Sequence, residues 1–205
     1  MTLTAEDSAT FSRCIAVGGV AVFPADTVYG LACEPDTRDA VDRLYALKGR
    51  RPDKPAAVMF FSVELALAAL PELGDRTRSA VEALLPGPVT VLVPNPAGRF
   101  PLSGSADLLG VRVPSLPPGL EALHAVRWPV LQTSANRSGR PDARTLDEVP
   151  ELIRAEADLV LDGGELPGTP STVVDLGAYE TTRDWRVVRE GAFDRDAIRE
   201  RLSGS

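Results

Sequence analysis

The stretch VAVFPADTVYGLA, residues 20–32, sets the fold expected for this chain. Residues 20–23 form an apolar run with the β-branched and aromatic composition of a buried strand, and the run stops at Pro24. Asp26, Thr27 and Tyr29 follow before Gly30. Polar side chains that follow a strand end are typical of a ligand crevice at the edge of a sheet. On these residues alone, a plain strand-to-loop turn is an equally good interpretation.

Strand-like and helix-like segments alternate along the rest of the chain. Further strands are predicted at residues 57–61, 89–93, 109–113, 130–133, 159–161, 172–175 and 185–188. Apolar spacing predicts helices at 37–47, 63–70, 76–85, 120–126 and 195–202. Thr37 is the expected N-cap of the first helix, and Thr145 with Glu148 has the spacing of a capping box. The pattern indicates an α/β or α+β fold whose mixed sheet is at least partly covered.

The composition is that of one ordinary folded domain, expected to span residues 1–205. Hydrophobic residues make up 44% and charged residues 25%, far from the composition of disordered chains. A net charge of −7 argues against a surface devoted to binding nucleic-acid backbones. Cys14 and Cys33 are too few and too widely spaced for a zinc site or a disulfide framework. Without a signal segment or an apolar run of ~20 residues, we expect a cytoplasmic protein and no membrane role.

A basic segment, KGRRPDKP at residues 48–55, follows the predicted helix 37–47. Cations near a helix C-terminus interact favourably with the helix dipole, so a purely structural role is the simpler interpretation. Gly49 and Pro52, however, break the helix, and the segment runs directly into a predicted strand. A short basic turn at a sheet edge suits the binding of a polyphosphate.

Two later segments carry further polar groups. In GVRVP, residues 110–114, Arg112 points away from the face shared by its valine neighbours and needs an anionic partner if it is buried. An internal Asp and a substrate carboxylate are both possible partners. TSANRSGRPDART, residues 133–145, follows a strand and offers Ser134, Asn136 and Ser138 as hydrogen-bonding groups.

Several common catalytic motifs are missing from the sequence. It contains no Walker-type phosphate loop, no GxGxxG after a strand, no GxSxG and no HExxH. His124 has no triad partner suggested by the sequence, and we expect it to have a structural or surface role. Both cysteines are expected to have packing roles. The Pro- and Gly-rich loops at residues 94–104 and 163–170 are candidate lids.

Together these segments resemble the YrdC/Sua5 family of threonylcarbamoyl-AMP synthases. The family signature pairs a KxR element with an SxN element, which read Lys48-Gly49-Arg50 and Ser134-Ala135-Asn136 in this sequence. The resemblance continues through PGPVTVLV, GVRVP and STVVD to VVREGA and covers about residues 8–193. It implies a YrdC-like α/β fold, in which a twisted open mixed sheet with flanking helices surrounds a positively charged cavity.

The resemblance also implies an activity and its partners. The expected reaction joins L-threonine, bicarbonate and ATP into threonylcarbamoyl-AMP and pyrophosphate, a nucleotidyl transfer that supplies the t6A modification of transfer RNA. Mg²⁺ is expected with ATP, held mainly by the phosphates rather than by protein ligands. The product is expected to pass to a tRNA threonylcarbamoyltransferase, and a weak RNA contact is possible.

Site residues follow from the resemblance, motif by motif. Lys48 and Arg50 are expected to be catalytic and to bind ATP. The further expected ATP-binding residues are Lys54, Asn136, Arg144 and Arg189. The expected threonine-binding residues are Thr27, Tyr29, Arg112, Ser134 and Ser171.

The sequence departs from the family pattern at four places. PADT replaces the usual PTET, Lys54 replaces a frequent asparagine, and Leu108 falls where many members have threonine. Met59 stands where some members place a histidine near threonine. These departures keep open a paralogue that acts on another carbamoyl acceptor. The alternative from another class is a YrdC-like RNA-binding module.

Overall fold

The computed structural model describes residues 1–49, 51, 54–104 and 107–204. Within these residues nine strands form one sheet in the order β7-β1-β2-β6-β3-β5-β4-β8-β9. Their bounds are β1 Ala21–Pro24, β2 Tyr29–Cys33, β3 Ala57–Met59, β4 Val89–Pro94, β5 Leu108–Arg112, β6 Val130–Ser134, β7 Leu159–Val160, β8 Thr172–Asp175 and β9 Arg186–Arg189. The sheet is mixed: β1–β7, β3–β5 and β4–β8 are parallel pairs, and the other neighbours are antiparallel.

Seven α-helices flank this sheet in the described residues. They are α1 Ala5–Ala16, α2 Arg38–Lys48, α3 Val63–Ala69, α4 Asp75–Leu84, α5 Glu151–Glu156, α6 Tyr179–Thr182 and α7 Arg195–Ser203. Short 3₁₀ helices occupy Pro101–Ser103, Glu121–Ala125 and Leu146–Glu148. The α/β class, with an open mixed sheet and flanking helices, is thus confirmed.

Helix α1 was missing from the expected elements. Thr4 caps it through a full capping box, since its hydroxyl accepts from the Asp7 N–H and the Asp7 carboxylate accepts from the Thr4 N–H. Phe11 and Ile15 lie one turn apart and are fully buried. The ring of Phe11 packs 5.2 Å from that of Phe23, so this helix covers β1.

Strand β2 was also missing, because the polar stretch after Pro24 suggested a loop. The structure makes only residues 25–28 a connection and pairs β2 with β1 as a hairpin, Phe23 opposite Gly30. Every residue of β2 is buried. A strand covered on both faces has no polar alternation, and its short apolar run Gly30-Leu-Ala-Cys33 gives little signal.

Two expected details of the helices were wrong. Residues 120–126 contain a 3₁₀ turn, Glu121–Ala125, instead of an α-helix. Thr145 and Glu148 form no capping box, because the Glu148 carboxylate accepts from the Arg144 N–H at 2.8 Å and α5 begins only after Pro150. Thr37 is the N-cap of α2 as predicted, although its side chain makes no capping hydrogen bond.

Candidate functional site

A cavity of about 290 Å³ lies over the middle of the sheet. The residues of β4 and β5 that face it alternate along their strands, as the pleat of a sheet requires. Two small residues form its floor. Ala57 of β3 lies opposite Gln132 of β6. Gly110 of β5 lies beside Ala57, and a Cβ added to Gly110 would be 3.4 Å from the Ala57 Cα. The lining comprises Val28, Pro55, Ala56, Ala57, Thr90, Leu92, Leu108, Gly110, Arg112, Gln132, Thr133, Ser134, Asp142, Pro170, Ser171, Val173 and Arg189.

Arg112 sits at one side of this cavity and is paired from within the protein. Its Nη2 donates to the Asp26 carboxylate and, at 2.6 Å, to the Thr27 hydroxyl. The second Asp26 oxygen accepts from the Ser115 N–H at 3.0 Å. Both charged side chains are only 4% exposed. Of the two partners left open for this arginine, the structure contains the internal Asp.

The guanidinium of Arg112 still has capacity to bind an anion. Its Nε is buried and has no hydrogen-bond partner in the described residues. A buried N–H without a partner costs free energy, and an arginine fork can engage a carboxylate through two N–H groups at once. Arg112 lines the cavity, so its guanidinium is placed to pair with a carboxylate bound there.

The KxR and SxN elements are in direct contact, although about 86 residues separate them. The ammonium of Lys48, at the end of α2, is buried and donates to the Ser134 carbonyl at 2.6 Å, the Ser134 hydroxyl at 3.1 Å and the Asn136 carbonyl at 3.1 Å. It also contacts the Asn136 side-chain oxygen, which in turn accepts from the Ser134 hydroxyl at 2.7 Å. Lys48 therefore holds the loop that follows β6 in place. Its partner Ser134 lines the cavity.

A third polar group lies at the β8 side of the cavity. Arg189 of β9 donates to the Ser171 carbonyl at 2.7 Å and to the Ser171 hydroxyl at 3.3 Å. That hydroxyl is 2.9 Å from the hydroxyl of Thr90, a cavity residue that the sequence analysis did not identify. Ser171 and Arg189 thus reach the same cavity as Arg112 and Ser134.

Other predicted site residues lie outside the cavity lining. The Tyr29 hydroxyl lies 2.8 Å from the Gly164 carbonyl oxygen and 3.0 Å from an Asp162 carboxylate oxygen, and burial raises the pKa of this phenol to about 12. Arg144 is exposed and paired with Glu165. Lys54 is exposed, and its carbonyl accepts from the Tyr45 hydroxyl at 3.0 Å. Arg50 lies outside the residues that the structure describes.

Besides Thr90, the lining residues with polar side chains that were not predicted are Gln132, Thr133 and Asp142. The sequence does contain a signal for Gln132, because it lies two residues before Ser134 on the same strand and therefore shares its face. Asp142 lies in an irregular loop, where spacing predicts no direction. The charged lining residues in the described part of the chain are Arg112, Arg189 and Asp142, and a net positive cavity stays a prediction.

The donor set bears on how Mg²⁺ could be accommodated. The described residues contain no group of three His, Cys, Asp or Glu side chains placed to hold a metal ion. The lining nevertheless supplies hard oxygen donors, one carboxylate from Asp142 and hydroxyls from Ser134, Ser171 and Thr90. Such a set fits an ion that keeps phosphate oxygens and waters as its main ligands.

The remaining candidates are placed among packing contacts. Burial raises the pKa of the Cys33 thiol to about 12, and it also raises the pKa of Cys14. The His124 Nδ1 lies 3.3 Å from the Phe61 carbonyl. Among the residues described, no helix has the length and apolar character needed to cross a bilayer.

Comparison with known proteins gives close relatives along nearly the whole chain. A Pseudomonas aeruginosa protein named threonylcarbamoyl-AMP synthase is 38% identical over 176 residues, covering 84% of this chain and 94% of that protein. A Stutzerimonas stutzeri protein of the same name is 36% identical over the same shares.

Solved structures give the same result for the fold. The structure of Pyrococcus abyssi Sua5 complexed with L-threonine superposes with a TM-score of 0.84 at 27% identity, covering 98% of this chain and 58% of that one. Escherichia coli YciO, 24% identical, superposes with a TM-score of 0.78 and is covered to 94%, which supports the fold. A family model for Sua5, YciO and YrdC, described as telomere recombination, matches residues 13–191. With most of its length matched by that model, the chain belongs to the Sua5/YciO/YrdC family.

Proposed function

We propose that this protein is an L-threonylcarbamoyladenylate synthase, a nucleotidyltransferase that consumes L-threonine, bicarbonate and ATP. The observation that carries the proposal is the 38% identity to the P. aeruginosa threonylcarbamoyl-AMP synthase over 94% of that protein's length. The cavity supports it, because two arginines, several hydroxyls and one amide line it, and its described lining residues include no His or Cys. Neither the RNA-binding module nor another carbamoyl acceptor is favoured by these relatives.

The reaction needs positioning more than it needs a reactive side chain. The threonine amine attacks the bicarbonate carbon, a C–N bond forms, and water leaves, giving a carbamate. A carbamate oxygen then attacks the α-phosphorus of ATP, the bond to the β-phosphate oxygen breaks, and pyrophosphate leaves. Holding the reactants together and stabilising phosphate charge with fixed donors can supply most of the rate.

Arg112 is the proposed anchor for the threonine carboxylate. Its place in the lining supports this role, and Asp26 and Thr27 hold the guanidinium in position. Ser171 and Ser134 supply hydroxyls to the same ligand from opposite sides of the cavity. Thr27 contributes through Arg112, since its hydroxyl accepts one of the guanidinium N–H bonds.

The nucleotide is proposed to lie toward the KxR and SxN elements. Lys48 has three N–H donors and four acceptors around it, so a phosphate oxygen can replace one of these contacts at little cost. Arg50, Lys54, Asn136, Arg144 and Arg189 complete the proposed ATP set. Mg²⁺ bound to ATP would neutralise phosphate charge, and Asp142 is the carboxylate among the described lining residues.

The test is to measure pyrophosphate release with ATP, bicarbonate and each amino acid in turn. Threonine-dependent release that requires bicarbonate is expected. Arg112→Lys should raise the KM for threonine, because an ammonium lacks the planar two-point fork. Arg43→Lys is the matched control, because Arg43 also pairs with an aspartate, Asp158, but lies outside the cavity lining.

Two outcomes would contradict the proposal. Release driven equally by another amino acid would favour the paralogue. Salt-sensitive RNA binding without turnover would favour the RNA-binding module. Transfer of the product to a tRNA threonylcarbamoyltransferase, a weak RNA contact and a cytoplasmic location are further parts of the proposal, and each needs its own experiment.

A further inference from the structure

One polar side chain in the cavity is not used by any role assigned so far. Gln132 of β6 is only 5% exposed and lines the cavity. No hydrogen bond within the described part of the chain involves its side-chain amide. Buried amides are nearly always hydrogen-bonded, so an unpaired one that faces a cavity calls for a partner inside that cavity.

The neighbours of Gln132 explain why the protein itself supplies no partner. Its register neighbours across the sheet are Ala32 on β2 and Ala57 on β3, neither of which has a polar side chain. Gly30 allows the amide to lie where it does, because a Cβ there would come within 2.9 Å of the Gln132 Nε2. The sheet is thus shaped around this amide without satisfying it.

The strand register places Gln132 between Ser134 of the SxN element and Arg112, the proposed anchor for the threonine carboxylate. Ser134 lies two residues along β6 in one direction. Val130 lies two residues along β6 in the other direction. It pairs with Met59 of β3, and Met59 in turn pairs with Arg112 of β5. In the proposed reaction, the group between the amino-acid carboxylate and the phosphates is the one that comes from bicarbonate.

The chemistry of an amide selects among the substrate groups that lie between the threonine amine and carboxylate and the phosphates. It offers an N–H donor beside a C=O acceptor. Phosphate and carboxylate oxygens only accept, and an ammonium only donates. Bicarbonate and the carbamate formed from it both carry a donor hydrogen and an acceptor oxygen on two atoms bonded to the same carbon. Either can therefore form two parallel hydrogen bonds with one amide.

We propose that Gln132 binds the bicarbonate-derived carboxyl unit and positions it for carbamate formation and for attack on the α-phosphorus. This inference rests on the proposed function and adds a residue and a ligand group to it. The amide takes up no proton and forms no covalent bond. It holds bicarbonate while the threonine amine displaces water, and then the carbamate while pyrophosphate leaves.

The experiment compares wild-type protein with Gln132→Met, which keeps the side-chain length and removes both hydrogen-bonding groups. Bicarbonate is titrated in CO₂-depleted buffer at saturating threonine and ATP, with pyrophosphate release as the readout. The bicarbonate KM should rise by about tenfold or more, since losing even one hydrogen bond to a charged group has about that effect and the variant loses two. The dissociation constant for threonine, measured by calorimetry without bicarbonate, should stay unchanged.

Gln132→Glu is the second variant, and it carries the test if the methionine variant does not fold. A carboxylate there loses the donor and repels an anion, so the bicarbonate KM should rise further. An unchanged bicarbonate KM in a folded variant, or a change confined to threonine affinity, would overturn the inference alone. If wild-type protein releases no pyrophosphate with threonine and bicarbonate, both the proposed function and this inference are wrong.

Discussion

Replacing Asp26 with Asn removes the charge that balances Arg112. Both side chains are 4% exposed, so solvent cannot compensate the arginine. Breaking a buried ion pair from one side costs about 3–5 kcal/mol of unfolding free energy. Asn keeps an oxygen that can still accept from Arg112, which places the expected loss near about 3 kcal/mol. For a chain of 205 residues, this lowers Tm by about 6–12 °C.

The pairing itself is measured with a double-mutant cycle. Asp26→Asn, Arg112→Met and the double variant are unfolded in urea, and the double variant should lose clearly less stability than the two single losses added. Asp158→Asn is the matched control, because its ion pair with Arg43 is 40–42% exposed and should be worth about 1 kcal/mol or less. Additive losses at Asp26 and Arg112 would refute the reasoning.

Three further perturbations test other parts of the structure. Lys48→Met leaves the buried oxygens of Asn136 without the ammonium that they accept from, so the free energy of unfolding should fall by about 2–4 kcal/mol. ATP binding, measured by titration, should be lost. An unchanged stability would show that the Lys48–Asn136 contact does not form. Gly30→Ala puts a Cβ 2.9 Å from the Phe23 ring, and the Tm should drop by an amount corresponding to about 1–3 kcal/mol; an unchanged Tm would show that the ring moves freely. Burial raises the Cys33 thiol pKa from 9.0 to about 12, so this thiol should stay unreactive toward a disulfide reagent at pH 8 until the protein unfolds. Because the folded pKa is the higher one, its contribution to stability is complete below pH 9 and is lost as pH rises toward 12; rapid labelling of native Cys33 would show that it is accessible.

The sequence was informative where strands alternate with amphipathic helices. Helix α4 at Asp75–Leu84 and strand β4 at Val89–Pro94 lie within a residue of their predicted bounds, because each has its own periodicity and clear ends. Helix α1 could have been found from its capping box at Thr4 and Asp7. Strand β2 could not, since residues buried on both faces carry no alternation.

Site residues on strands were easier to predict than their partners. Arg112 and Ser134 reach the cavity as expected from strand positions. The partner of Arg112 was left undecided between an internal Asp and a substrate carboxylate. The actual partner, Asp26, lies 86 positions away, and such a contact depends on tertiary packing rather than on local pattern. Gln132 was missed for a different reason. A single amide within an otherwise apolar strand gives no sign in the sequence that it faces a cavity.

The place of β6 in the sheet has a consequence for how the chain assembles. β2 and β3 do not pair with each other, and both are joined through β6. The same short strand delivers Gln132 and Ser134 and leads into the loop held by Lys48. A nascent chain lacking residues 130–136 therefore has neither a continuous sheet nor a pocket floor. Because such distant pairings form late, the ability to bind substrate should appear only as the last gap in the sheet closes.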